Sequence, residues 1–173
     1  LGYNAYWAVY HALLSDEERK AEAVFHIMQE ARRIQDSHKI MDHLGDENVA
    51  LVFELSRRVS NESHMYEEFI RFRELQNGVL VSEISPRTQV LTCIAEHFAD
   101  RFPLENWMIF DRTHREALLH KAKEPCRILL DAYPDSEMLG KLSDDEKRYE
   151  ILWKGFFKSV SIRERENPKL QQT

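Results

Sequence analysis

Residues 67–121 read EEFIRFRELQNGVLVSEISPRTQVLTCIAEHFADRFPLENWMIFDRTHREALLHK, and this stretch sets the fold class. Ile70 and Phe72 alternate with arginines, which is the two-residue period of a strand, and Phe72 is expected to face the core. Asn77-Gly78 then gives the strongest short signal for a hairpin turn. Residues 79–84 are rich in β-branched side chains and predict the second strand.

The remainder of this stretch predicts a helix and a second pair of strands. Ser85-Pro86 supplies an N-cap and a first-turn proline. Apolar residues then recur at helical spacing: Leu91, Ile94, Ala95, Phe98 and Phe102. Residues 107–110 and 117–120 read as two strands around a turn at Thr113-His114. We therefore predict a strand–strand–helix–strand–strand unit over residues 67–121.

Helical spacing dominates on both sides of this unit. The first helix is predicted from apolar residues that recur at helical spacing: Tyr6, Val9, Tyr10, Leu13 and Leu14. After the unit, Pro125 and Pro134 bracket a short segment that reads as helical. A capping box at residues 143–146 then opens a final helix with an aromatic stripe over residues 149–160. The predicted fold class is α+β, with a small antiparallel sheet packed against N-terminal and C-terminal helices.

The length and composition place bounds on domain number and on cofactors. The 173 residues predict a single domain over residues 1–173, with helices in 1–62, a sheet-containing unit in 63–123, and C-terminal helices and tail in 124–173. The two cysteines, Cys93 and Cys126, lie far apart, and no CxxC pair accompanies them, so we expect no metal and no cofactor. No apolar run approaches the roughly 20 residues of a membrane span. A cytoplasmic location is therefore expected.

The charge is unevenly distributed, and this affects which partners are plausible. The net charge is −6, but residues 1–56 alone hold five basic and ten acidic side chains. All positive charge between residues 69 and 115 is arginine: Arg71, Arg73, Arg87, Arg101, Arg112 and Arg115. Arginine is suited to bidentate contacts with phosphate or carboxylate. The pattern predicts a surface that faces an anion or a partner.

Each of several polar pairs in the sequence has two possible interpretations. His97 and Arg101 lie four residues apart on a helix and could grip one anion, although structural packing of His97 is the commoner outcome. Asp100-Arg101 and Asp111-Arg112 are either internal ion pairs or aspartates that orient arginines toward a ligand. In the tail, Arg163, Arg165 and Asn167 are either solvated or dock a partner.

Motifs of catalysis are absent from the sequence. It contains no Walker A loop, no GxGxxG, no HExxH and no GxSxG elbow. An enzyme that acts on a nucleotide or a modified base stays an alternative, with His97, Asp100, Asp111 and His114 as its acid–base candidates. A purely structural protein-interaction subunit is a third possibility.

Four blocks of the chain closely resemble one bacterial family: FIRFRELQNGVLVSEISP (69–86), HFADRF (97–102), WMIFDRTHREALLHK (107–121) and YEILWKGFFKSVSIRERENPKLQQ (149–172). It is a domain-of-unknown-function family that is assigned to DNA metabolism or DNA repair without an established activity. The resemblance implies a companion, a radical-SAM protein of DNA modification or repair. In other bacteria a similar domain is fused to a uracil-DNA glycosylase-like domain.

The family context and the arginines together give the leading hypothesis. The chain lacks the CxxxCxxC cluster of radical-SAM enzymes and any recognisable glycosylase motif, so the resemblance implies a non-catalytic accessory protein. It would bind single-stranded or distorted DNA, a radical-SAM or glycosylase partner, or both. The phosphate-binding candidates are Arg71, Arg73, Arg101, Arg112 and Arg115, with His97 in support. Arg163, Arg165 and Asn167 would dock the partner or the DNA backbone.

Overall fold

A group of helices makes up the first unit of the chain. The computed structural model describes residues 2–33 and 37–132, and within these ranges residues 2–68 and 86–94 form one compact unit. Its main elements are α1 (Tyr3–Leu13), α2 (Lys20–Glu30), a 3-10 helix (Ser37–Asp42) and α3 (Glu47–Phe69), which ends one residue beyond the unit. The prediction of a single domain stays a prediction.

The buried face of α1 is made of alanines. Ala5 and Ala12 are fully buried, whereas Tyr6 is 56% exposed and Leu13 is 43% exposed. The helix that the apolar spacing predicted is present, but Tyr6 and Leu13 do not lie on its buried face. Alanine has no side-chain entropy to lose and lets neighbouring helices approach closely, so a small-residue face can take the core position from larger side chains. The core of the unit also contains residues of α2 and α3: Ala23, Val24, Ile27, Val49, Val52 and Leu55.

Asp46 caps the start of α3. Its Oδ1 accepts hydrogen bonds from the backbone N–H groups of Asn48 at 2.8 Å and Val49 at 3.1 Å. Its Oδ2 lies 2.9 Å from Nε2 of His26, which belongs to α2. The hydrogen bond from the Val49 N–H is the main cause that lowers the pKa of the Asp46 carboxyl. This side chain joins two helices of the first unit.

Glu62 on α3 holds the second chain segment of the first unit. Its two carboxylate oxygens accept the backbone N–H groups of Arg87 at 2.7 Å and Thr88 at 2.9 Å. Thr88 is 1% exposed, so its N–H group needs this acceptor. The guanidinium of Arg87 contacts Asp16 and lowers the pKa of that carboxyl. The guanidinium of Arg87 is therefore paired with a carboxylate of the first unit.

The second unit contains a five-stranded sheet and comprises residues 69–85 together with residues from 95 onward. Its strands are β1 (Arg73–Glu74), β2 (Leu80–Ile84), β3 (Trp107–Asp111), β4 (Glu116–His120) and β5 (Arg127–Leu130), and their spatial order is β1-β2-β3-β4-β5. Three pairings are antiparallel, and β2 with β3 is parallel. A parallel pair requires a crossover connection, and here the connection contains α4 (Leu91–Arg101).

Aromatic side chains form much of the core of the second unit. The Phe72 ring contacts Phe98, Phe102 and Trp107, with ring centroids 5.3, 5.4 and 6.0 Å away. Phe98 and Trp107 are each 1% exposed. The expectation that Phe72 faces the core is confirmed. Edge-to-face pairs of this kind add stabilisation beyond the apolar area that they bury.

The α+β class is confirmed, and three details differ from the expectation. One of the four strand pairings is parallel, and β5 adds a fifth strand beyond residue 121. Residues 127–130, expected within a short helix, form this strand instead because they pair with β4. The predicted C-terminal helix lies outside the described residues. Within the described ranges of the chain, no helix combines the length and the apolar character needed to cross a membrane.

Candidate functional site

Two of the predicted arginines meet at one carboxylate in the second unit. Arg73 Nη2 lies 3.0 Å from Glu83 Oε1, and Arg112 Nε lies 3.1 Å from Glu83 Oε2. The Glu83 side chain is 19% exposed and the Arg112 side chain is 63% exposed. Two guanidinium groups around one carboxylate leave a net positive charge. We call Arg73, Glu83 and Arg112 the arginine cluster.

The sheet brings the cluster together. Arg73 pairs with Val81 across the antiparallel strands β1 and β2, and Glu83 lies two residues further along β2 on the same face. Arg112 follows β3, and its backbone N–H donates to the Ile84 carbonyl at 3.0 Å. The parallel pairing of β2 with β3 therefore places the end of β3 beside Glu83.

The turn between β3 and β4 contains a carboxylate–imidazole pair. Asp111 Oδ2 lies 2.6 Å from His114 Nδ1, and the Asp111 side chain is fully buried, whereas that of His114 is 21% exposed. Asp111 Oδ1 also accepts the backbone N–H groups of Thr113 at 2.9 Å and His114 at 3.0 Å. An ionised carboxylate only accepts, so Nδ1 carries the hydrogen and Nε2 of a neutral His114 offers a lone pair.

The residues of the two aspartate–arginine dipeptides, Asp100-Arg101 and Asp111-Arg112, have different partners in the structure. Arg112 pairs with Glu83, while its neighbour Asp111 bonds to His114. Arg101 is exposed, and its guanidinium carbon lies 5.5 Å from the Phe102 ring centroid, a cation–π contact. The partner of Asp111 is therefore a histidine three residues ahead, and the partner of Arg101 described here is an aromatic ring.

His97 lies at the aromatic core. Its ring is edge-on to Phe98 at 5.0 Å between centroids, and its Nε2 is buried without a hydrogen-bond partner among the described residues. A phosphate in solvent does not reach this nitrogen. Arg71 is half-buried and precedes β1, and Arg115 is the last residue of the β3–β4 turn, with a φ of 59° and an exposed side chain. Arg163, Arg165 and Asn167 lie outside the described residues.

A polar cavity in the first unit was missed by the sequence reasoning. It has a volume of about 230 Å³, and its lining residues are His11, Ser60, Ser63, His64, Glu67 and Cys93. Burial raises the pKa of the Cys93 thiol and lowers the pKa of His11, so both groups favour their neutral forms. A neutral buried thiol is a poor nucleophile. The available signal was the polar stripe 60, 63, 64 and 67, which has the spacing of one helix face.

The described residues offer no cluster suited to a metal ion. Among residues 2–33 and 37–132, no group of three or more His, Cys, Asp or Glu side chains is placed to bind one. The arginine cluster and the Asp111–His114 pair are the candidate sites that the geometry of the described residues offers.

Comparison with known proteins gives a family for the chain. The model of a family described as "Domain of unknown function (DUF4130)" matches residues 18–173. The chain belongs to the DUF4130 family. The matched range contains the arginine cluster and the Asp111–His114 pair of this DUF4130 protein. No curated protein matches it, and no solved structure does.

Proposed function

We propose that this DUF4130 protein is a non-catalytic accessory protein of DNA metabolism or repair in the bacterial cytoplasm. It binds single-stranded or distorted DNA through the arginine cluster and works beside a radical-SAM or glycosylase partner. The DNA context and the partner come from the family resemblance. The single structural observation that supports DNA binding is the pair of guanidinium groups held on Glu83.

The charges of the cluster suit a phosphate group. Glu83 neutralises one of the two arginines, so the cluster keeps a net positive charge. The Arg112 contact uses Nε, and the side chain is 63% exposed, so its terminal nitrogens are the atoms best placed for a phosphate. Guanidinium groups bind phosphate oxygens through paired hydrogen bonds, and such contacts position a nucleic acid without reading its sequence.

Glu83 contributes order to the cluster. An arginine side chain loses about 2 kcal/mol of rotamer entropy when it is fixed, and an existing contact with a carboxylate has already fixed some of its rotamers. Both arginines contact this one carboxylate, which lies on the second of the five strands of the sheet. The cost of ordering them on DNA is thereby reduced.

A binding experiment tests this proposal. Fluorescence anisotropy of a labelled single-stranded oligonucleotide would be measured with the full chain and with the double variant Arg73→Gln/Arg112→Gln over a range of salt concentrations. Each lost phosphate contact lowers the slope of log K against log salt by about 0.7 for single strands, so the double variant should lose about 1.4. Affinity should fall as well.

Arg58→Gln is the matched control. Arg58 also contacts one glutamate, with Nη2 2.7 Å from Glu54 Oε1, but it lies on α3 in the first unit. This variant should keep both the affinity and the salt slope of the parent protein. A parent protein that binds no form of DNA would contradict the proposal, and so would a double variant with an unchanged slope.

The Asp111–His114 pair favours a second candidate function, an enzyme acting on a nucleotide or a modified base. A buried carboxylate that fixes the tautomer of an accessible imidazole is the arrangement that orients a general base. The pair's hydrogen bonds to the turn backbone also give Asp111 a structural role. Incubation of the protein alone with damaged oligonucleotides and nucleotides would separate the two functions. Turnover that is lost in His114→Gln would favour the enzyme.

A further inference from the structure

The outer edge of β5 is an exposed strand edge with apolar side chains. In the described part of the chain, β5 is the last strand of the sheet and pairs with β4 alone. Its residues Ile128, Leu129 and Leu130 are 36%, 49% and 71% exposed. An open strand edge is a template for pairing with another chain, and proteins usually protect it with charged side chains or proline. Three consecutive apolar residues at this edge therefore indicate an interaction surface.

The packing of the sheet is incomplete at this edge. The register of β3, β4 and β5 joins two apolar rows that end on β5: Ile109–Leu118–Ile128 and Phe110–Ala117–Leu129. The first two members of each row are at most 6% exposed, whereas the members on β5 are 36% and 49% exposed. A further strand beside β5 would continue both rows and bury their last members.

The residues on either side of the apolar run have opposite charges. Arg127 begins β5 and is 73% exposed, and Asp131, which is also exposed, directly follows the strand. The distance from Arg127 Nη2 to Glu124 Oε2 is 3.6 Å, and an exposed contact of this kind is weak. The segment is thus positive at its start, apolar over three residues, and negative at its end. Such a segment is complementary to a second copy that runs in the opposite direction.

Antiparallel pairing of two β5 strands in one register matches every residue of the segment. With Leu129 opposite Leu129 of the second copy, Ile128 lies opposite Leu130 and Arg127 lies opposite Asp131. Asp131 has a φ of 52° and ends the regular strand, and the long arginine side chain reaches toward its carboxylate. A shift by one residue would place a charge opposite an apolar side chain. In-register parallel pairing would place like charges side by side, which is destabilising.

We propose that β5 is a self-association site, at which two copies of this chain pair antiparallel and join the five strands of each copy into one continuous sheet. The two-fold axis passes between the two copies of Leu129, so the same residues serve both sides of the interface. One short strand from each copy buries less than the roughly 1,200 Å² of a stable interface, and the dimer is therefore reversible. This inference goes beyond the proposed function and does not rest on it.

Sedimentation velocity of the full chain at increasing protein concentration measures the association. The parent protein should change from monomer to dimer as the concentration rises. Arg127→Glu and Asp131→Arg each place like charges opposite one another at both ends of the paired strands. Each variant should therefore weaken dimerisation by about tenfold. Circular dichroism of the dilute variants checks that both keep the fold of the parent.

An equimolar mixture of these two single variants tests the pairing of the charges. In a mixed dimer, the introduced glutamate faces the introduced arginine, and the remaining Asp131 faces the remaining Arg127. The mixture should therefore dimerise as well as the parent protein does. Lys123→Glu is the matched control, because it reverses an exposed cation that lies outside β5, and it should leave dimerisation unchanged. A parent protein that stays monomeric would overturn the proposal, and so would a mixture that associates no better than its components.

Cysteine variants test the register itself. Leu129→Cys places two cysteines opposite each other, with Cα atoms about 4.5–5.5 Å apart, which a disulfide can bridge. Leu130→Cys is the control, because Leu130 is more exposed but its two copies would lie about 8 Å apart, beyond the roughly 7 Å limit for a disulfide. Mild oxidation should link Leu129→Cys into covalent dimers faster than Leu130→Cys or the parent protein. Equal rates in the two variants would overturn the register.

DNA binding by the same samples separates this inference from the proposed function. Arg73→Gln/Arg112→Gln should lower the affinity for the oligonucleotide and keep the dimer. Dimerisation by a parent protein that binds no DNA would uphold the self-association site and reject the DNA role. DNA binding by a parent protein that stays monomeric at every concentration would reject the self-association site alone.

Discussion

Asp111 makes three hydrogen bonds with a side chain that solvent does not reach. Its partners are the backbone N–H groups of Thr113 and His114 and the His114 ring. Removal of a buried acceptor leaves its donors without partners, which costs more than the net value of the bonds. This residue therefore holds the β3–β4 turn, whichever function the turn serves.

We expect Asp111→Ala to lower the free energy of unfolding by about 2–4 kcal/mol, because the N–H groups of Thr113 and His114 and the His114 ring lose a buried acceptor. Urea unfolding followed by circular dichroism measures the change. Asp100→Ala is the control: Asp100 is exposed, and its loss should cost less than about 0.5 kcal/mol. Equal losses in the two variants would contradict the assigned role.

For single residues, sequence adjacency was a poor guide to partners. Asp111-Arg112 reads as a pair, yet Arg112 contacts Glu83 and Asp111 contacts His114. Successive residues at the end of a strand point to opposite faces, so neighbours in sequence are separated in space. The sequence did predict that arginines from separate segments, such as Arg73 and Arg112, would contribute to one surface. Their shared carboxylate was not, because it depends on the order of the strands.

Among the elements, the β1–β2 hairpin shows how far turn chemistry determines local structure. Gly78 has a φ of +80°, and its N–H donates to the Leu75 carbonyl at 2.9 Å. Asn77 Oδ1 accepts the Val79 N–H at 3.2 Å. The predicted Asn-Gly turn is confirmed, because only a residue without Cβ adopts this φ at little cost.

Gly78→Ala should destabilise the protein by about 1 kcal/mol, since alanine disfavours the left-handed region even though its Cβ would meet nothing within 4 Å. Gly45→Ala provides a matched control, because a Cβ there also meets nothing within 4 Å and no such φ applies. Thermal unfolding of both variants is the measurement. A larger loss at residue 45 would contradict the turn argument.

Other elements depended on context that a single sequence does not show. The helix α1 has two apolar faces, and the alanine face is buried while Tyr6 stays 56% exposed. Helical spacing alone does not choose between two such faces. Likewise, residues 127–130 form a strand because they pair with β4, and this pairing outweighs the helical tendency that the local sequence suggested.

For the whole molecule, the half-buried His11 predicts how stability depends on pH. Burial lowers the pKa of His11 below its ordinary value of 6.5. An unfolded chain binds a proton at this residue as the pH falls through 6.5, whereas the folded chain does so only at lower pH. The stability linked to His11 is therefore complete above about pH 6.5 and is lost as the pH falls toward the folded pKa.

The expected result is a fall in Tm between about pH 7 and about pH 5 that becomes shallower in His11→Gln, measured by differential scanning calorimetry. His43→Gln changes an exposed histidine and should keep the slope of the parent protein. The lowered pKa values of Asp16 and Asp46 act in a separate window, below their ordinary value of 3.8. Identical slopes in His11→Gln and the parent would contradict this assignment.

The chain passes back and forth between the two units, and this limits how the protein can be divided. Residues 69–85 belong to the sheet unit, and residues 86–94 return to the helical unit before the chain goes back to the sheet. A fragment that stops at residue 68 would lack the buried Val90 and Leu91, and Glu62 would lose its backbone donors. No single cut separates the two units without carrying a segment of one into the other, so recombination or gene fusion has to leave residues 69–94 uninterrupted.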